Sequence, residues 1–161
     1  MILGLQRMEK PVIAMINGTA VGAGFDLACV CDIRIASPKA RFMVAYVKIG
    51  LFPGLGGTWL YPRVLGSMGK AAEMLFTGDF MEADEAYRLG FLNRLVDEDE
   101  LESTTMEMAR KIAATGNTRG STPSEPCRWC RRLREDPGVK LRPRRFCAVG
   151  LRLFLSCTLP S

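Results

Sequence analysis

The 161-residue sequence contains no histidine. That absence excludes Ser-His-Asp and Cys-His catalysis and removes the commonest metal ligand. The chain also lacks the roughly eighteen consecutive apolar residues that a membrane helix needs. Met1-Ile-Leu-Gly-Leu5 is too short to be the apolar core of a signal peptide. A soluble, cytoplasmic chain with no membrane partner is the expectation.

Basic character is absent from most of the chain, although the net charge is +5. Up to Ala114 there are 12 basic and 14 acidic residues, and from Thr115 onward 10 basic and 3 acidic. The positive charge therefore belongs to the last stretch and says nothing about the rest. Its arginines do not fall on one helical face, and only Trp129 and Phe146 interleave them. An anionic-surface or nucleic-acid role for this stretch ranks below the alternatives, and no nucleic-acid partner is expected. Cysteine gives little more. Cys29 and Cys31 lie in an apolar segment, where a reduced thiol acts as a small hydrophobe. Cys127-x-x-Cys130 has no second pair and no histidine to complete a metal site. No metal is expected.

What is present is concentrated between Pro11 and Asp32. Pro11-Val-Ile-Ala-Met-Ile16 is an apolar run of strand length, ended by the turn chemistry of Asn17-Gly18. Phe25 to Cys31 is apolar on nearly every side, with Asp26 its only charge, as in a short buried helix. Gly18, Gly22 and Gly24 lie between them and allow close approach to the main chain. A helix starting there carries unpaired N–H groups and the positive end of its dipole, suited to a partial negative charge. A phosphate loop of the Walker A type needs lysine after the last glycine, and Phe25 stands there. A dinucleotide fingerprint needs a third glycine where Leu27 stands and an acid near Val44, where the residues are neutral.

Further along, Asp32–Ala36 and Ala40–Val44 read as strands, and 48–57 as a loop punctuated by glycine and proline. Thr58 is placed to cap a short helix, and Pro62 to open the next one, which ends before Gly66. Helices are expected over Lys70–Phe76, stopped at Gly78, and over Glu82–Leu89, stopped at Gly90. Asn93–Val96 reads as a brief strand. Asp97-x-x-Glu100 has capping-box spacing ahead of a helix over Leu101–Ala114, with Leu101, Thr105, Met108 and Ile112 on one face. Trp59, Tyr61 and Phe76 are assigned to the core. Met1–Met8 resembles the end of an amphipathic helix.

The run from Lys10 to Ala36 is similar to the signature of the enoyl-CoA hydratase/isomerase (crotonase) family. The likeness continues through Phe42, Ile49-Gly-Leu-Phe-Pro-Gly-Leu-Gly-Gly-Thr58, Leu75-Phe-Thr-Gly-Asp79 and 86–96, covering about residues 8–114. It implies an α/β, crotonase-like (ClpP/crotonase) ββα superhelix, here partial, and a homo-trimer or hexamer where the fold is complete. Residues 1–114 would form the core, without the family's first strand and loop. Residues 115–161 form an atypical Arg/Cys/Pro-rich tail, which we expect to be frame-shifted, fused or disordered. Translation of the other two reading frames tests the first of these.

The family's common step holds an acyl-CoA thioester so that its carbonyl oxygen accepts two backbone N–H bonds while it becomes an enolate. One donor maps to Ala23, flanked by Gly22 and Gly24; the other belongs to the absent front. Asp26 occupies the position of a catalytic glutamate, one methylene shorter, and Tyr46 that of a second glutamate. A phenol with a pKa of about 10 is no base at neutral pH, although it can donate a hydrogen bond. Hydration assisted by two carboxylates is therefore not supported, and isomerisation or decarboxylation fits somewhat better. Gly54 stands where some isomerase-like members place an aspartate, and Leu51, Phe52 and Pro53 are expected to wall the acyl pocket. No cofactor is implied beyond the coenzyme A of the substrate. The alternative is a catalytically incomplete fragment with a structural or oligomerisation role.

Overall fold

The run Val12–Ile16 forms strand β1, buried along its whole length. In the computed structural model the described residues are 11–115, Leu5, and the backbone of two strands at 144–145 and 151–155. After β1 come β2 (Thr19–Val21), α1 (Ala23–Val30), β3 (Ile33–Ala36) and β4 (Arg41–Met43). A 3-10 turn, Ala45–Ile49, precedes α2 (Gly57–Leu65) and α3 (Met68–Thr77). Strand β5 (Phe80–Glu82), α4 (Ala83–Arg88), β6 (Arg94–Leu95) and α5 (Glu98–Thr115) follow, and β7 (Arg144–Arg145) and β8 (Leu151–Leu155) are the last.

Strand β1 lies inside a five-stranded sheet of order β6-β3-β1-β8-β7. It runs parallel to β3 and antiparallel to β8. A strand covered on both faces has no polar side to show, which is why this one is a continuous apolar run. Its two faces serve different layers. Ile13 and Met15 join Ile35 under Leu101 and Ala109 of α5, with Met108 and Ile112 packed alongside. Val12, Ala14 and Ile16 point into the larger cluster with α1 and the second sheet. That sheet has the order β2-β4-β5.

Phe25, fully buried, joins these layers. Its ring centroid lies 5.1 Å from Tyr61, 5.5 Å from Phe91 and 6.0 Å from Phe42. Burying one such ring contributes about 1.5–3 kcal/mol, and tilted ring pairs add to it. The other end of α1 is closed by Arg34. Its guanidinium donates to the carbonyls of Cys31 (2.6 Å), Ala28 (3.4 Å) and Phe91 (2.6 Å). The C-terminal carbonyls of a helix need such partners once they are buried. Helix α1 is thereby fixed at both ends.

Several local expectations are corrected. Thr19–Val21 pairs as a strand with Arg41–Met43, within what the sequence shows as a glycine loop. Residues 45–49 form a 3-10 turn, which takes in the first two residues of the loop expected over 48–57. Thr58 does not cap a helix, because α2 begins at Gly57 with Gly56 as its cap, and Pro62 lies inside it. Glu82 ends β5 and caps α4 instead of starting a helix. Trp59 (57% exposed) and Phe76 (78%) are at the surface, so only Tyr61 of the three expected core aromatics is buried. Two stretches of the tail are strands. The Cys127–Cys130 pair and most of Met1–Met8 lie outside the described residues.

Candidate active site

The site is built from the first turn of α1 and two tyrosines brought to it by later segments. Gly22 has φ 53° and ψ −116°, a combination that only glycine adopts readily. Its N–H donates to the Met43 carbonyl at 3.0 Å, and its carbonyl accepts from Asp26 N–H at 2.9 Å. The helix therefore begins at Ala23, and the N–H groups of Ala23, Gly24 and Phe25 precede the first intrahelical bond. No side chain caps this end. Gly24 and Phe25 are buried, whereas Ala23 is exposed. Among the described residues, no backbone carbonyl outside the helix takes the Ala23 N–H.

Asp26 is fully buried one turn further in. Its Oδ2 accepts a hydrogen bond from the Tyr46 hydroxyl and its Oδ1 one from the Tyr61 hydroxyl, each at 2.5 Å. A buried carboxylate is costly unless its oxygens are satisfied, and here each has a phenol donor. Position four of a helix also lies within reach of the favourable end of the dipole. Burial, and then the bond to Asp26, push both phenols well above the ordinary tyrosine range. Both stay protonated at neutral pH.

Tyr46 comes from the 3-10 turn, whose end is set by Gly50 at φ 68°. It is half-buried, and its Cζ would lie 3.9 Å from a Cβ placed on Gly22. The phenol thus borders the start of α1. Tyr61 comes from α2 and is fully buried. A Cβ on Gly57 would fall 2.4 Å from its Cζ and 2.5 Å from its hydroxyl oxygen, so only glycine leaves room for the ring.

Of the residues singled out from the sequence, Gly22, Ala23, Gly24, Asp26 and Tyr46 come together. Leu51, Phe52 and Gly54 are exposed and Pro53 is buried, in the segment between the two tyrosine-bearing elements. The Leu51 N–H donates to the Tyr46 carbonyl at 2.9 Å, tying that segment to the turn. Tyr61 was legible as core but not as a partner of Asp26. The available signal was a large phenol assigned to the core, whose hydroxyl must find an acceptor. Cys29 and Cys31 take no part. Burial raises both thiols, that of Cys31 to about 12, and the Cys31 thiol donates to the Leu27 carbonyl.

The helix start, its first-turn acid and both tyrosines lie within one stretch that matches a known family. The family model described as enoyl-CoA hydratase/isomerase matches residues 2–122. The chain belongs to the enoyl-CoA hydratase/isomerase family. Among family members, the short-chain-enoyl-CoA hydratase of Clostridium acetobutylicum is 47% identical over 110 residues, 68% of this chain and 42% of the relative. The 1,2-epoxyphenylacetyl-CoA isomerase of Escherichia coli is 41% identical over 109 residues, 68% of this chain and 41% of the relative. The crystal structure of enoyl-CoA hydratase from Bacillus anthracis matches with a TM-score of 0.67 at 37% identity, over 70% of this chain and 43% of that one. The chain thus spans about two-fifths of the length of these family members. Over that part, the crotonase-like α/β fold expected from the sequence is the fold observed.

Proposed function

We propose that this chain acts on an acyl-CoA thioester by holding its carbonyl oxygen at the Ala23 amide while an enolate forms. The observation that carries this reading is the N–H of Ala23, an exposed residue: no backbone carbonyl outside the helix takes it among the described residues, and it lies at the positive end of a buried helix. A fixed donor aimed at developing charge stabilises the transition state more than the ground state. Loss of one such donor costs about 3–4 kcal/mol of barrier. Gly22 and Gly24 leave the main chain open to approach, and Leu51, Phe52, Pro53 and Gly54 border the acyl group. Tyr46 and Asp26 serve proton transfer.

The reaction, whether hydration, isomerisation or decarboxylation, asks for no cofactor besides the coenzyme A of the substrate. Among the described residues no group of three or more potential metal ligands occurs, and no helix is long and apolar enough to cross a membrane. A cytoplasmic location, a role in fatty acid metabolism and assembly as a trimer or hexamer belong to the same proposal. So does the division into a core, 1–114, and an atypical tail, 115–161.

Ala23→Pro tests the reading directly. Proline is well tolerated at the first helical position, where it removes only the N–H. The variant should fold, bind crotonyl-CoA and lose a hundredfold or more in turnover or α-proton exchange. Unchanged turnover would sink the assignment. A second reading, a non-catalytic chain that assembles through its surface, is favoured by the exposure of Ile49, Leu51, Phe52 and Trp59. Folded protein that neither turns over nor is thermally shifted by CoA esters, yet sediments as a trimer, would establish it.

A further inference from the structure

The two phenols give Asp26 a chemistry that neither residue has alone. A tyrosine hydroxyl carries one proton and two lone pairs. The Tyr46 proton is committed to Oδ2 and the Tyr61 proton to Oδ1. Asp26 is fully buried, so its carboxylate does not face the site itself. Tyr46 is the half-buried member, and its ring borders Gly22, the neighbour of the exposed residue Ala23. What Tyr46 offers outward is therefore an acceptor, not a donor.

We infer that Tyr46 relays a proton from a hydroxylic group at the thioester's β-carbon to Asp26, and that Tyr61 is the positioning residue that aims Asp26 at Tyr46. This rests on the proposed thioester chemistry and narrows it to addition or loss of water. In the addition step the water oxygen bonds to the β-carbon and one water O–H bond breaks. That proton passes to Tyr46 Oη as the phenol's own proton passes to Asp26 Oδ2. The alkene pair moves to the α-carbon and on to the thioester oxygen, giving the enolate at Ala23. Tyrosine is neutral before and after, so no phenolate has to form. The sequence alone disfavours hydration because a lone phenol is no base; a phenol backed by a carboxylate removes that objection.

Tyr61 supports the relay from behind. With Oδ1 bonded to a fully buried phenol, the carboxylate plane is set and Oδ2 points at Tyr46. Gly57 leaves the space that makes this bond possible.

The experiment follows crotonyl-CoA binding, water addition and α-proton exchange in the whole chain, its Y61F and Y46F variants. Rates are expressed per folded, ligand-binding molecule. Y61F should lower kcat roughly tenfold with KM unchanged, and Y46F by a hundredfold or more with loss of the solvent deuterium isotope effect. A Y61F rate equal to wild type per binding-competent molecule overturns the positioning role. Exchange of α-protons without water addition overturns the relay while leaving the thioester reading intact. Absence of both binding and exchange in the wild-type chain removes the thioester reading, and the relay with it.

Discussion

Gly57 stands four residues before Tyr61 on the same helix, and a methyl group on it would overlap the tyrosine ring. The spacing puts both on one face of α2, so the glycine is the floor on which the phenol lies. Tyr61 reaches Asp26 because nothing fills that floor.

Gly57→Ala should therefore destabilise the fold by about 1–3 kcal/mol, the usual penalty for overpacking a filled core. Urea denaturation measures it directly. Equal midpoints for variant and parent would show that the ring does not pack where it is described.

Arg34→Lys keeps the charge and loses the fork. Three carbonyls, those of Ala28, Cys31 and Phe91, share one guanidinium, and an ammonium cannot reproduce that geometry. Each buried carbonyl left without a donor costs about 1–3 kcal/mol. A thermal melt should show a clear loss for Arg34→Lys; a melt within a degree or so of the parent would contradict the clamp.

Alkaline pH should weaken the fold through its buried thiols and phenols. The Cys31 thiol is raised from 9.0 to about 12 by burial, so the unfolded chain gives up this proton first. Stability is then fully present below pH 9 and declines toward pH 12, by up to about 1.4 kcal/mol per pH unit for one group. Denaturation curves from pH 8 upward should show this, with a shallower slope in Cys31→Ala. Tyr46 and Tyr61, also raised, steepen the fall above pH 10.

The same burial predicts slow thiol chemistry. Cys29 and Cys31 are both buried and both raised. A thiol-specific reagent at neutral pH should label them at a rate set by unfolding, and denaturant should make labelling immediate. Fast labelling at Cys29 or Cys31 themselves, located by peptide mapping apart from the four cysteines after residue 115, would place them at an accessible surface instead.

Much of the fold was legible because it depends on local chemistry. β1 showed as an apolar run, and α1 as an apolar segment behind glycines. Gly66 and Gly78 marked helix ends, where both adopt positive φ. The short strands β2 and β5 were hidden, since three residues carry no periodicity and their partner β4 is distant in sequence. Arg41 opposite Glu82, joined by a 2.8 Å ion pair, is a register that only the folded chain reveals. The site divides the same way. Gly22, Ala23 and Asp26 are neighbours in one turn, and the spacing of Tyr46 was visible by resemblance. Tyr61 meets Asp26 across the core, and no local pattern announces that meeting.

β1 has hydrogen-bonded neighbours along both edges and packing on both faces. Its amides should be the last in the molecule to take up deuterium, opening only when the whole molecule does. Helix α1 begins only a handful of residues after that strand, with β2 between them. The oxygen site proposed at the Ala23 amide is then anchored next to the slowest-opening part of the molecule.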